Sequence, residues 1–176
     1  YNGEVYCLDV ENGVKVWSYN TGPIVWPSPV VTYGRVYVES ISLLDPFAGE
    51  VHCLSLSTGG EIWSCIVQGW LVCSPVVADG RLYTGSNNGK VYCLDAYNGE
   101  RIWSYRTDTS VWSSPVVADG NLFVGCVSGW LYCFGDPSLR IKGVSTGLGC
   151  LSVVFTNAGN KPVENITWSI TVKGGI

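Results

Sequence analysis

The 176-residue chain is 47% hydrophobic, and its formal net charge of −4 includes only 10 Lys and Arg. This is enough apolar material for a packed core, and no basic run offers a surface for a phosphate backbone, which argues against a nucleic-acid partner. No run of about 18 apolar residues can cross a bilayer as a helix, and eight Cys with a single His and no C-x-x-C pair argue against structural zinc.

In chain order, the apolar runs read as short strands separated by turn residues. Glu4 to Asp9 and Lys15 to Tyr19 come first, followed by Ser28-Pro29-Val30-Val31 and a strand that reaches Ser40. About six extra residues follow Ser40, before Val51-His52-Cys53-Leu54 and Glu61-Ile62-Trp63-Ser64. Two nearly superimposable segments come next: Ser74-Pro75-Val76-Val77-Ala78-Asp79-Gly80 returns as Ser114-Pro115-Val116-Val117-Ala118-Asp119-Gly120. The strands Leu82–Thr84, Val91–Leu94 and Arg101–Arg106 follow the first, and Asn121–Cys126 and Trp130–Phe134 follow the second. Alternation along these runs puts successive side chains on opposite sheet faces. Asp79-Gly80, Asp119-Gly120, Asn98-Gly99 and Ser128-Gly129 supply the positive φ of hairpin turns.

The repeat spacing is 46 residues from Trp17 to Trp63 and 40 from Trp63 to Trp103. A four-stranded unit of this period is a propeller blade. The first copy begins at the third strand of a blade, two full blades follow, and the last supplies three strands, about three and a half blades in residues 1–136. A ring closes with roughly four to eight blades, so the opening at Tyr1 inside a repeat reads as a processed or excised piece. The fold class is all-β: a partial propeller of four-stranded antiparallel blades, plus a short segment at 137–176. That segment has three alternating runs, Ile141–Val144, Cys150–Phe155 and Asn165–Val172, and reads as an incomplete immunoglobulin-like sandwich.

The string from Gly-x-Val-Tyr-Cys-Leu-Asp-Ala through Asn-Gly-Glu-x-Ile-Trp-Ser-Tyr to Ser-Ser-Pro-Val-Val-Ala-Asp-Gly resembles the repeat of quinoprotein (PQQ-like) propellers from Tyr1 to about Phe134. The resemblance implies either a quinone-dependent dehydrogenase, with calcium and an Asp base near the axis, or a scaffold like outer-membrane assembly lipoproteins. The dehydrogenase signs are missing: there is no Asp/Asn-rich calcium loop and no pair of adjacent Cys. Glu11, Glu61, Asp79, Glu100 and Asp119 fall at turn positions, and a nucleophilic triad would have only His52 as its base, at a position filled by Tyr6, Tyr92 and Tyr132 elsewhere. No catalytic, cofactor or metal residues are therefore expected.

Trp17, Trp63 and Trp103 are expected to pack between blades, and Cys7, Cys53, Cys93 and Cys133, which share one repeat position, to be small core thiols. Cys65, Cys73, Cys126 and Cys150 break the pattern and are disulfide candidates, with a local Cys65–Cys73 bridge within reach. Trp26, Trp70, Trp112 and Trp130 lie near loops, where exposed rings could take carbohydrate. Asn165-Ile166-Thr167 fits a glycosylation sequon. The functional expectation is a non-enzymatic extracellular or cell-surface module with protein partners, either upstream blades or other copies of itself. Strand addition between copies would build a filament or surface layer.

Overall fold

The computed structural model describes residues 3–22, 27–135, 139–147 and 150–157, the last two segments through their backbone. Four antiparallel sheets follow one another. The first pairs β1 (Glu4–Leu8) with β2 (Lys15–Asn20). The second holds β3 (Val30–Thr32), β4 (Arg35–Ile41), β5 (Ala48–Ser55) and β6 (Glu61–Gln68) in sequence order. The third repeats this with β7 (Val76–Ala78), β8 (Arg81–Gly85), β9 (Lys90–Asp95) and β10 (Arg101–Arg106). The fourth has β11 (Val116–Ala118), β12 (Asn121–Gly125) and β13 (Leu131–Phe134). The chain is thus an all-β partial propeller, and we number its sheets blades 1 to 4.

Each turn type follows from its residues. In the three-residue strands β3, β7 and β11 the chain reverses through Tyr33-Gly34, Asp79-Gly80 and Asp119-Gly120, with φ of 50–52° at the first residue and 69–71° at the glycine. These are two-residue turns of the primed type, whose twist suits a hairpin. The pairs Asn98-Gly99 and Ser128-Gly129 differ from expectation, because they lie inside five-residue loops. In the first of these loops Asp95 Oδ1 accepts from the N–H groups of Tyr97 and Asn98 at 2.7 and 3.1 Å. Asp9 does the same for Glu11 and Asn12. The side chain substitutes for a longer ladder, so the acids at these positions are turn-forming groups.

The blades stack through two repeated devices. Near the short inner strands, the Ser74 hydroxyl accepts the Ser28 N–H at 2.9 Å and the Ser114 hydroxyl accepts the Ser74 N–H at 3.1 Å, so the recurring Ser-Pro links each blade to the next. On the outer strands, Trp17 donates its indole N–H to Leu56 O at 2.9 Å and Trp63 donates to Ala96 O at 3.2 Å. Each ring lies flat on a glycine of the neighbouring blade. A Cβ at Gly59 would come within 2.5 Å of Trp17, and one at Gly99 within 2.6 Å of Trp63. Trp17 and Trp63 thus each contact the following blade. Trp103 also packs across a blade boundary, against Phe134 of blade 4 as well as Tyr83 of its own blade, with ring centroids 5.6 and 6.0 Å away, and it stays half-buried.

The core between blades 2 and 3 collects Tyr37, Val51, Cys53, Trp63, Leu82, Tyr92 and Leu94. Cys53 and Cys93 are fully buried and Cys7 and Cys133 partly so, as expected of one shared strand position. Beyond blade 4, β14 (Leu139–Gly147) pairs antiparallel with β15 (Cys150–Asn157) and runs beside β13. These two strands match the first two runs read as a sandwich, but a hairpin alongside a blade is no support for an immunoglobulin-like fold. The third run, with Trp168 and the Asn165 sequon, lies outside the described residues, as does Trp26.

Candidate interaction face and an inter-blade polar cluster

Strand direction divides the loops between two faces. The β4–β5, β8–β9 and β12–β13 loops share one face with the segments that lead from each outer strand to the next blade, and hydrogen bonds tie the two sets together. Gly69 N–H donates to Phe47 O, Asn87 N–H to Trp70 O, and Val127 N–H to Ser110 O, at 3.0–3.1 Å. The six extra residues after Ser40 emerge here. They extend β4 and β5 and leave a tip, Ser42 to Phe47, whose Leu43, Leu44 and Phe47 are 69, 83 and 78% exposed.

The tip is braced: Trp70 donates its indole N–H to Pro46 O at 2.7 Å and receives Asn87 Oδ1 on its backbone N–H at 2.8 Å. Trp112 and Val127 add further exposed apolar surface to the same face. Of the tryptophans read as ligand platforms, Trp112 is open and Trp70 and Trp130 are half-buried. Three large apolar side chains together on one braced loop make this a candidate interaction surface, because single exposed apolar residues are ordinary but grouped ones are not.

A second feature lies between blades 1 and 2. His52, buried on β5, sits 3.1 Å from Ser40 Oγ through Nε2 and 3.2 Å from Glu61 Oε2 through Nδ1. Tyr19 of blade 1 donates its hydroxyl to the same Glu61 oxygen in a short hydrogen bond, and Ser40 donates to Thr21 O at 3.1 Å. Partial burial raises the Glu61 carboxyl, but hydrogen bonds from Tyr19, His52 and Ser64 outweigh it and hold the group below the usual carboxylate range. Burial, followed by the Glu61 contact, pushes the Tyr19 phenol well above its ordinary value.

The order Ser40–His52–Glu61 has the shape of a nucleophilic relay, and the sequence reading of Glu61 as a turn residue is corrected here. Counted back from the tryptophans, Glu61 is level with Lys15 and Arg101 on the outer strands, where its carboxylate can reach His52. Ser40 is 1% exposed, and its hydroxyl is shared with the Thr21 carbonyl. A substrate cannot reach it, so the cluster serves as a tie between blades. In blades 3 and 4 the tyrosine at this position makes the tie directly, Tyr92 donating to Gln68 O at 3.0 Å and Tyr132 to Asp108 Oδ2 at 2.9 Å. The shorter His52 needs Glu61 and Ser40 to complete the same span.

Sequence reading missed Glu39, which β4 carries into the blade 2–3 interface at 0% exposure. Neither carboxyl oxygen has a hydrogen-bond partner. Burial pushes its pKa up to about 8, and the weak influence of the Thr84 hydroxyl offsets only part of this. The signal was present in the repeat: the matching residues of the next two blades are Gly85 and Gly125. In those blades the backbone at the glycine is pinned by a side chain from the preceding segment. Cys73 Sγ accepts the Gly85 N–H at 3.3 Å and donates to Gly85 O at 3.5 Å, and Ser113 Oγ does both for Gly125 at 2.9 and 2.8 Å.

This pinning also explains the thiols. Cys73 takes the place of a serine, buried beneath Gly85, with burial and the neighbouring Glu39 raising its pKa to about 12. The anticipated Cys65–Cys73 bridge is not formed. Cys65 stays on β6 opposite Val51, Cys126 contacts the Ser128 hydroxyl at 3.2 Å, and all seven cysteines whose side chains are described are free. The Cys150 side chain lies outside that set.

Together the four-stranded repeat, the stacked tryptophans and the Ser-Pro ladder define a partial β-propeller, similar in its repeat to those of the PQQ-like type. The family model described as "Outer membrane protein assembly factor BamB" matches residues 47–133. Among solved structures, BamB from Moraxella catarrhalis is similar over 89% of this chain and 52% of its own, with a TM-score of 0.63 at 20% identity. The quinohemoprotein alcohol dehydrogenase from Comamonas testosteroni is similar over 77% of this chain and 31% of its own, TM-score 0.64 at 13% identity. The corresponding enzyme from Pseudomonas putida covers 76% and 30%, TM-score 0.60 at 17%. The chain thus spans about half or less of each of these structures. No curated protein sequence matched it.

Proposed function

We propose that this chain is a non-enzymatic interaction scaffold of the cell envelope or cell surface, which holds a protein partner on the face built around the Ser42–Phe47 loop. The observation that carries this reading is the group of Leu43, Leu44 and Phe47 held in solvent by a loop that the other blades lack. The repeat match to an assembly factor points the same way. For the quinone-dependent alternative, which the likeness to dehydrogenases favours, the donor set fits poorly. Among the described residues no three His, Cys, Asp or Glu side chains converge to hold a cation. The buried Glu39 faces Thr84 and Cys73, with no second carboxylate among the groups that act on it.

The test is capture from a cell-envelope extract by photo-crosslinkers placed at position 44, compared with position 102 on an outer strand. A partner crosslinked from 44 and lost in L43S/L44S/F47S supports the scaffold. Equal crosslinking from both positions, or dye reduction with an alcohol once the quinone and calcium are added, removes it. A finer form has copies of the chain adding strands to one another, supported by the exposed Tyr6, Leu8 and Val16 on the two-stranded first sheet. Light scattering that shows a concentration-independent monomer would exclude that form.

A further inference from the structure

On the face opposite the Ser42–Phe47 loop, two tyrosines stand at positions that other copies fill with polar, non-aromatic residues. Tyr33 stands in the β3–β4 turn where the next blades have Asp79 and Asp119, and Tyr97 stands in the β9–β10 loop where the earlier copies have Glu11 and Ser57. Although they come from different blades, they meet, with ring centroids 6.0 Å apart and planes inclined by 35°. Each remains about half exposed, 52% for Tyr33 and 51% for Tyr97.

Local chemistry does not demand either ring. Tyr33 has φ of 52°, a left-handed conformation that suits Asp or Asn and strains an aromatic residue. Asp at this position would form the turn with less strain, as Asp79 and Asp119 do. Arg35 fixes the arrangement from behind: its guanidinium carbon lies 5.4 Å from the Tyr97 ring centre, and Nη1 donates to Tyr97 O at 2.9 Å and to Ala96 O at 3.5 Å. The Tyr97 ring edge rests on Gly80, where an added Cβ would lie 3.0 Å from it.

We propose that Tyr33 and Tyr97 form a platform that binds a neutral glycan by stacking against the C–H faces of its sugar rings. Those hydrogens are weakly positive and meet the negative face of the aromatic quadrupole. Charge selects against an anionic polymer, since exposed Asp79 immediately precedes the Gly80 on which Tyr97 rests and the chain carries a net −4. Backbone pairing selects against an extended peptide. The turn groups beside the rings are already used, Asp95 N–H on Glu100 O and Ala96 N–H on Gly80 O at 2.8 and 2.9 Å, and do not offer a peptide a ladder there.

The test is affinity electrophoresis in gels containing galactomannan, hydroxyethylcellulose or laminarin, with alginate as an anionic comparison. At least one neutral polymer should retard the protein. Tyr33→Asp and Tyr97→Ser, which restore residues of other copies, should each weaken that retardation about tenfold, equivalent to about 1.4 kcal/mol. Ile66→Ala, an exposed change on the outer strand β6, should leave it unchanged. Thermal unfolding checks each variant, and Tyr33→Asp should melt no lower than the parent. Free migration in all three neutral gels, retardation by alginate alone, or retardation that survives Tyr97→Ser in a folded protein would each overturn the assignment.

Discussion

Replacing Glu39 by Gln should stabilise the protein at neutral pH, and by an amount that grows with pH. In the folded chain the Glu39 carboxyl titrates near 8, against an ordinary 4.5. Between these values the unfolded chain releases its proton while the folded chain must retain one, or carry a buried charge. The stability associated with the neutral carboxyl is therefore complete below about pH 4.5 and falls as pH rises through 8. At about 1.4 kcal/mol per pH unit, the deficit at pH 7 reaches about 3 kcal/mol as an upper figure. Gln keeps the shape of the protonated acid and does not titrate. Urea unfolding of parent and E39Q at half-unit steps from pH 4.5 to 9 should show near-equal stability at the acid end, and then a growing advantage for E39Q that levels off above pH 8. A difference that is flat across this range, or an E39Q protein weaker than the parent at pH 7, would refute the reasoning.

Opposite pH behaviour is expected at Glu61, whose pKa is lowered, so its contribution is present above pH 4.5 and lost as pH falls below that; E61Q should abolish this acid-side loss in the same unfolding series. Trp63→Ala should destabilise by about 3–5 kcal/mol, the range for removing a buried aromatic ring. Gly99→Ala should behave similarly, because its Cβ would meet the Trp63 ring at 2.6 Å, whereas Gly120→Ala, at a comparable φ but with nothing within 4 Å, should show only the left-handed penalty of about 1–2 kcal/mol in chemical denaturation. Under native conditions a thiol reagent should modify Cys126, Cys65, Cys7 and Cys133 before Cys53, Cys73 and Cys93, as peptide mapping by mass spectrometry would show; early labelling of Cys73 would contradict its burial.

The blades were legible in the sequence because each rests on local chemistry. Alternation sets the strands, Asp79-Gly80 and Asp119-Gly120 set the tight turns, and the regular return of Trp17 and Trp63 reflects a contact that every blade makes with its neighbour. The Ser-Pro signal was visible, although not its work of joining Ser28, Ser74 and Ser114. What escaped were the departures from the repeat. Glu39, Tyr33 and Tyr97 look like ordinary substitutions until the copies are superposed, and His52 looks like a packed tyrosine equivalent.

By itself the sequence determined the blade, its four-strand unit and the approximate extent of the repeat, since hydrophobic period and turn residues act over only a few positions. Tertiary structure alone decided which departures meet. Glu61 reaches His52 and Tyr19 only because two blades stack, and Tyr33 meets Tyr97 across 64 residues of chain for the same reason. The insertion after Ser40 could be counted from the repeat spacing. That it carries Leu43, Leu44 and Phe47 out into solvent depends on Trp70 and Gly69, which brace it from the following segment. Local periodicity fixes an element, but the pairing of side chains from separate blades is set by how those elements pack, and no window along the chain contains that information.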